Sequence, residues 1–303
     1  MFTIIGASLL ALAQSKPVVE EKKVIFDVTV LDNYGRVVSG LTADNFKLND
    51  EKESKPITFF SAGSEAASIA VLVDVSASMP LPNLSAVAQE LPGFINKANP
   101  KNEYSIFTFS GSFQSLNSLT NDREAIMSGL RQLTAKKPQD GTKTKLFDAV
   151  KLGLESLDAG KNRKKALIVI SDATDNSSKI KFEQIKWLVR ESNVLLYNLQ
   201  VDSPRLTSSG FADERRLLEE LTRISGGAVF KYETSESLSE GLVRIALNLQ
   251  YQYVIGFLPS PSKAKDKDKD EWRKVKIKVE YPANEKVKRD MTVIAREGYY
   301  ATR

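Results

Sequence analysis

The sequence predicts an α/β fold: a doubly wound, mostly parallel β-sheet flanked by an antiparallel β-sandwich that both ends of the chain build. Between residues 66 and 250, short apolar runs rich in β-branched residues alternate with helical apolar periods, a pattern typical of βαβ units. Strand patterns without helices lie on either side, at 20–62 and 251–303. Because three or four strands bury little surface alone, we expect the two flanking segments to pair with each other.

Composition narrows the chemistry that the chain can perform. Of its 303 residues 42% are hydrophobic, an ordinary value for a globular protein, and none is histidine or cysteine. This excludes Ser-His-Asp triads, thiol nucleophiles, histidine bases and the usual zinc sites, so that any metal must be held by oxygen. The net charge of +5 is scattered, without a glycine-rich phosphate loop or a basic run interleaved with aromatics. Nucleic acid is therefore not an expected partner.

The chain begins with an apolar block at residues 2–13 that ends in Ala11, Leu12 and Ala13, as the core and cleavage site of a secretory signal do. The basic segment that usually precedes such a core is missing, and the alternative is a buried first strand. We expect residues 1–13 to be a signal-like segment and the mature protein to begin near Gln14. The protein would then be exported to the periplasm, the cell surface or the medium.

The N-terminal β unit, residues 20–62, opens with an alternating apolar and polar stretch typical of a half-buried strand, at 23–31. Residues 32–35 supply a turn. Shorter strands are predicted at 37–38, 46–48 and 57–60.

The central segment, residues 66–250, carries five predicted strands, each followed by at least one helical pattern. Pro92 and Gly93 fall inside the first helix and are expected to kink or split it. Asn121 and Asp122 suit the cap of the second helix, and the third helix should start near Thr144. The strands are predicted at 67–73, 104–109, 166–170, 194–201 and 228–232, and later helices over 182–189, 217–224 and 238–249.

After residue 250 the helical period stops, and strands are predicted at 253–258, 275–279 and 291–295. The connector 259–271 contains a run of alternating lysine and aspartate. Because it lacks the glycine and the distal glutamate of an EF-hand loop, a solvated hairpin loop is favoured over a calcium site.

Polar oxygens cluster where predicted strands end. Asp74, Ser76 and Ser78 follow the first strand of the central segment, and Asp172 follows the third. In an open parallel sheet ligands bind at the carboxyl ends of the strands, and an all-oxygen set suits a hard cation. The alternatives are structural: the two serines cap the following helix, Thr144 caps the third helix, and Asp172 closes a turn.

Four neighbouring residues are kept outside the ligand set. Asp148 is interpreted as a helix-start charge and Asp175 as a turn residue. Ser110 and Gly111, after the second central strand, are candidates to line the site, although a simple turn is the favoured interpretation.

Three loops, DVSAS (74–78), TKLFD (144–148) and ISDATD (170–175), resemble those of a von Willebrand factor A domain, in which they form a metal-ion-dependent adhesion site. The flanking LTADNFKL (41–48) and EGYY (297–300) resemble bacterial proteins with this domain. The resemblance implies a six-stranded sheet and a site for Mg²⁺ or Mn²⁺, with Ca²⁺ as a further candidate. It implies that the metal ligands are Asp74, Ser76, Ser78, Thr144 and Asp172, with the two aspartates acting directly or through water.

The sequence departs from the family pattern at Ala77 and Ala173, where glycines are usual. Alanine does not readily adopt positive φ, so these loops are expected to be less adaptable.

The resemblance implies a binding module and not an enzyme: the metal would engage an Asp or Glu carboxylate of a protein partner. Two alternatives remain. One is an envelope scaffold with the same fold and no functional metal site. The other is a metal-dependent hydrolase, against which the loops carry no obvious general base.

Overall fold

The computed structural model describes residues 23–79, 81–134, 143–201, 212–261, 271–280 and 290–301. These form one six-stranded mixed sheet, mostly parallel, and two four-stranded antiparallel sheets, with helices on both faces of the larger sheet. The predicted fold class is confirmed. The signal-like segment 1–13 and residues 262–270 of the charged connector lie outside the described residues.

Strands and helices alternate through the middle of the chain, and strands alone occur at both ends. The strands are β1 (Val24–Leu31), β2 (Phe46–Asp50), β3 (Glu53–Lys55), β4 (Phe59–Ala62), β5 (Ala67–Asp74), β6 (Glu103–Phe109), β7 (Phe113–Thr120), β8 (Lys164–Ser171), β9 (Leu195–Val201), β10 (Val229–Tyr232), β11 (Tyr253–Phe257), β12 (Glu271–Val279), β13 (Thr292–Ile294) and β14 (Gly298–Ala301). The helices are α1 (Leu81–Lys97), α2 (Arg123–Thr134), α3 (Leu146–Ser156), α4 (Phe182–Ser192), α5 (Ala212–Ser225) and α6 (Ser235–Gln250), with a short 3₁₀ turn at Ala43–Asn45.

The central sheet has the strand order β10-β9-β8-β5-β6-β7. Every residue of β5, β6 and β9 is buried, because helices cover both faces, and this explains the nearly continuous apolar sequence of β5. The edge strand β7 pairs antiparallel with β6. It was not identified from the sequence, because Leu116 is its one buried residue and the polar remainder shows no strand pattern.

Two apolar cores lie on the two faces of this sheet. Helices α1, α2 and α6 pack on the face that presents Val71 and Ile168, while α3, α4 and α5 pack on the face of Leu72 and Leu167. The predicted split of the first helix is wrong, since α1 continues through Pro92. Leu91, Phe94 and Ile95 are buried on both sides of the proline, and this packing holds the helix in one piece.

The sandwich consists of the sheets β13-β1-β11-β4 and β14-β12-β2-β3. Strand β1 pairs with β11 and β13, and β2 pairs with β12, so each sheet combines strands from both ends of the chain. Aromatic residues fill the space between the sheets: the ring of Tyr253 lies 5.1 Å from that of Phe46 and 5.9 Å from that of Phe60. The domain limits at 66 and 250 remain a prediction.

Several short strands differ from expectation. Val37 makes an isolated bridge to Leu31 in place of a strand, and β3 and β14 were not identified from the sequence. Strands of three or four residues carry too few alternating positions to be separated from loops by pattern alone.

Arg163, which precedes β8, fixes the sandwich against the central sheet. Its guanidinium donates to both carboxylate oxygens of Asp27 in β1, at 2.7 and 3.1 Å, and to Glu65 at 2.7 Å. The sandwich therefore lies at the amino ends of the parallel strands, on the opposite side of the sheet from their carboxyl ends. Within the described ranges, the helices fall short of the length and apolarity that a membrane span needs.

Candidate functional site

The carboxyl ends of β5, β6 and β8 meet at one edge of the central sheet. In the parallel register Asp74 lies beside Phe109, and Val73 lies beside Ile170. The loops that follow therefore begin next to one another. Of the predicted site residues, Asp74, Ser76, Thr144 and Asp172 are buried there, and Ser78 is exposed.

Asp74 is completely buried and is held by two hydrogen bonds. Its Oδ1 accepts from the backbone N–H of Ser76 at 2.9 Å, and its Oδ2 accepts from the hydroxyl of Ser171 at 2.7 Å. The hydroxyls of Ser76 and Ser78 lie 3.0 Å apart. The first loop thus brings its carboxylate and two hydroxyls into one small cluster.

Asp172 is also completely buried, but only one of its two carboxylate oxygens accepts hydrogen bonds from the described residues. Its Oδ1 accepts from the backbone N–H of Thr174 at 3.0 Å and from the hydroxyl of the same residue at 2.7 Å. Asp172 therefore does close a turn, as one of the structural alternatives proposed. Its Oδ2, however, is buried without a hydrogen-bond partner among the described residues. A carboxylate oxygen left in this state is costly unless a cation or another donor reaches it.

The two carboxylates repel each other. Burial first, and then the negative charge of Asp172, raise the pKa of Asp74 to about 7, although the hydrogen bonds from Ser76 and Ser171 oppose the shift. Burial and the same two carboxylates also raise the pKa of Tyr232, whose buried hydroxyl has no partner among the described residues. The centre of the site is thus short of positive charge.

Asn176 joins the second and third loops. Its Oδ1 accepts from the backbone N–H of Thr144 at 2.8 Å, and the Thr144 carbonyl accepts from the N–H groups of Asn176 and Ser177, both at 3.1 Å. The Thr144 side chain does not cap α3, whose N-cap residue is Lys145.

The residues kept outside the ligand set support the loops. Asp148 accepts from the backbone N–H groups of Lys179 and Ile180, and Asp175 accepts from the hydroxyl of Ser178 at 2.5 Å. The carbonyl of Ser110 accepts from the N–H of Lys145 at 3.0 Å.

Ala173 differs from expectation, because it adopts the left-handed conformation with φ of 63°. Its N–H donates to the Ser171 hydroxyl at 3.0 Å, and its methyl group is fully buried. An alanine in this region costs about 1–2 kcal/mol relative to ordinary backbone. The loop accepts this strain while it turns Asp172 and Thr174 into place.

Among the described residues, no group of three or more acidic side chains is close enough to hold a metal. The donors at this edge are instead two carboxylates and three hydroxyls. Oxygen donors in this mixture suit hard divalent cations, and the unpartnered Asp172 Oδ2 beside Asp74 is where positive charge is lacking. The residues present therefore fit a divalent cation.

Ser171 and Thr174 were not identified from the sequence, although they orient both carboxylates. We expect Thr174→Val to lower Mg²⁺ or Mn²⁺ affinity about 10- to 100-fold, because it removes one donor that fixes Asp172. Isothermal titration calorimetry with each metal measures this. Thr222→Val is the matched control, since it deletes an equally buried hydroxyl, bonded to Leu218 O at 2.9 Å on α5. Equal affinities in the two variants would contradict the orienting role.

Residues 68–243, more than half of the chain, match the family model described as von Willebrand factor type A domain. Among curated proteins no sequence matches the chain. Solved structures with a similar fold include BatB from Bacteroides thetaiotaomicron, at 14% identity and a TM-score of 0.47, covering 60% of this chain and 99% of that one. Manganese-loaded TRAP protein of Plasmodium vivax is 14% identical, with a TM-score of 0.46 and coverage of 80% and 98%.

A third similar structure is proximal thread matrix protein 1 from the mussel byssus, with a zinc-occupied MIDAS motif. It is 16% identical with a TM-score of 0.49, and the match covers 62% of this chain and 50% of that one. The family model, together with the six-stranded sheet, shows that the chain belongs to the von Willebrand factor type A domain family.

Proposed function

We propose that the chain is a non-enzymatic protein-binding module that engages an Asp or Glu carboxylate of a partner through a divalent cation. The main support for this proposal is the buried Oδ2 of Asp172, which lacks a hydrogen-bond partner among the described residues and lies at the same sheet edge as Asp74. A bound divalent cation would offset the repulsion between the two buried carboxylates and would give Asp172 Oδ2 a partner.

The proposed ligands are of two kinds, neutral hydroxyls and charged carboxylates. Ser76, Ser78 and Thr144 would contribute neutral hydroxyls, and Asp74 and Asp172 would contribute charge directly or through water. When bound, Mg²⁺ or Mn²⁺, with Ca²⁺ as a further candidate, supplies an electrophilic centre that an external carboxylate can complete. The exposed Ser78 lies on the solvent side of the cluster, where a partner can approach.

The rim beside Thr144 carries charge suited to an acidic partner. Lys143 is exposed, and the ammonium of Lys145 lies 6.0 Å from the centre of the exposed Phe113 ring. Both lysines are adjacent in sequence to the proposed ligand Thr144. Their positive charge would favour approach of an acidic segment and speed its association.

We propose that this module acts outside the cytoplasm, because the apolar block at residues 2–13 resembles the core of a secretory signal. We propose no turnover at the site, because the sequence contains no histidine or cysteine and no obvious general base accompanies the loops.

The test is a thermal melt of the protein in EDTA and then with Mg²⁺, Mn²⁺ or Ca²⁺. A cation that binds the folded state must raise the melting temperature, by several degrees at about 100 times its dissociation constant. Asp74→Ala should abolish the rise, while Asp213→Ala, which removes an exposed carboxylate of α5, should preserve it. No rise with any cation, or an equal rise in both variants, would contradict the proposed site.

The partner chemistry is tested with immobilised peptides that contain Asp or Glu and with their Asn and Gln counterparts. Retention of the acidic peptides in Mg²⁺, lost on addition of EDTA, is the expected result. Retention that survives both the chelator and Asp74→Ala would overturn metal-mediated binding.

A further inference from the structure

A cavity lies at the opposite end of the central sheet from the proposed metal site. Its volume is about 500 Å³, within the range of small-molecule sites, and it opens between the sandwich and the amino end of β9. Leu195 and Ser225 line it from the central domain, and Val24 and Tyr299 line it from the sandwich. None of the proposed metal ligands lines this cavity.

The wall of the cavity carries an excess of positive charge. Four cationic residues line it against two acidic ones, and one of the acidic residues, Asp27, is fully engaged by Arg163 through both carboxylate oxygens. Arg163 is neutralised in turn by Asp27 and Glu65. The cations left for a ligand are Lys23, Arg190 and Arg296, opposed by Glu191 alone among the described lining residues.

Among the described residues, no carboxylate forms an ion pair with Arg296. Its Nη2 donates to the carbonyl of Ile25 at 2.9 Å, and the guanidinium lies 4.4 Å from the centre of the Phe26 ring. Burial lowers the pKa of Arg296 to about 10, against the opposing effect of Asp27, so the group remains charged at neutral pH. A guanidinium has five N–H donors, and the described contacts use few of them.

Arg190 reaches the same cavity from the end of α4. Its guanidinium lies 4.7 Å from the centre of the Trp272 ring, which in turn packs edge-on against Tyr300 at 4.9 Å. Its Nε is buried without a hydrogen-bond partner among the described residues. Stacking on an aromatic ring fixes the orientation of the fork but satisfies none of its donors.

We propose that this cavity binds a small organic anion, whose carboxylate or phosphate groups are recognised by Arg190 and Arg296. The two arginines come from different elements, α4 and the β13–β14 connection, and both are oriented by aromatic rings before any ligand arrives. Guanidinium groups preorganised in this way match the paired oxygens of carboxylates and phosphates. The apolar walls at Val24, Ile25 and Leu195 would accommodate the body of the ligand.

The test is a thermal melt of the full chain in EDTA, with inorganic phosphate or with citrate, against sodium chloride at the same ionic strength. We expect one of the two anions to raise the melting temperature by roughly 5 °C at about 100 times its dissociation constant. The anion that does so distinguishes phosphate from carboxylate recognition. Magnesium is absent throughout, so that the metal site does not contribute.

Two variants test whether the rise in melting temperature comes from binding at this cavity. Arg190→Gln and Arg296→Gln should each remove most of the anion-dependent rise, whatever their own melting temperatures, because the comparison is made within each variant. Arg244→Gln is the control, since Arg244 is an exposed arginine of α6 outside this cavity. No rise beyond sodium chloride with either anion, or an equal rise in all three variants, would overturn the proposal.

Discussion

Asp74→Asn is expected to raise the melting temperature of the protein in EDTA and at the same time to abolish the gain from Mg²⁺ or Mn²⁺. Asparagine has the shape of aspartate and can retain both contacts, accepting from the Ser76 N–H and donating to the Ser171 hydroxyl. It removes one of two buried carboxylates that repel each other. A single substitution therefore separates the stability of the empty site from its ability to bind a cation.

The stability that Asp74→Asn gains over the wild type in EDTA should increase as the pH rises. The pKa of Asp74 is raised from 3.8 to about 7, so in the window between these values the folded protein binds a proton that the unfolded chain has released. The stability of the wild type in EDTA should therefore fall as pH rises through this window. The advantage of asparagine should be small near pH 4 and reach roughly 2–4 kcal/mol above pH 7.

Melts of wild type and Asp74→Asn between pH 4.5 and 8 measure this difference. Asp213→Asn is the matched control, because its carboxylate is exposed and should show neither effect. If Asp74→Asn melts at a lower temperature than the wild type in EDTA at pH 8, the buried charge of Asp74 does not destabilise the protein as we infer.

Gly227→Ala is expected to destabilise the protein by about 3 kcal/mol or more, because a methyl group there would collide with the carbonyl oxygen of Leu196 in β9. The Leu196 oxygen belongs to the backbone and the added Cβ would be fixed directly to the backbone of Gly227, so the two backbone segments would have to move apart. Gly93→Ala makes the same chemical change at an exposed position of α1, with no neighbour within 4 Å. It should stabilise the protein by about 1 kcal/mol, since alanine is the better helix former.

Urea denaturation of the two variants and the wild type gives both free energies of unfolding. Similar values for the two variants would contradict the close approach of Gly227 to β9.

The central strands could be predicted because burial on both faces leaves a signature in the sequence. The run ending at Asp74 is apolar at nearly every position, and β8 shows the same feature before Asp172. Strand β7 gave no such signal, since it lies at the sheet edge and exposes most of its side chains. The continuity of α1 through Pro92 is decided by tertiary packing, which no local pattern reports.

The candidate ligands could be predicted because each directly follows a recognisable strand or precedes a recognisable helix. The supporting residues could not be. Ser171, Thr174 and Asn176 matter through hydrogen bonds whose partners are defined by how three loops meet in space. The left-handed backbone of Ala173 was also beyond prediction, since the residue type argues against it.

The pairing of β1 with strands from the far end of the chain sets the order in which the molecule can assemble. Gln252 donates a hydrogen bond to Thr29 at a sequence separation of 223, and β13 follows later still. At a synthesis rate of about 5–20 residues per second, the ribosome leaves β1 without its neighbours for roughly 10–45 s. Throughout that interval both edges of an apolar strand are open to other chains. A protein that crosses a membrane unfolded and folds afterwards, with its whole length present, would not experience this delay.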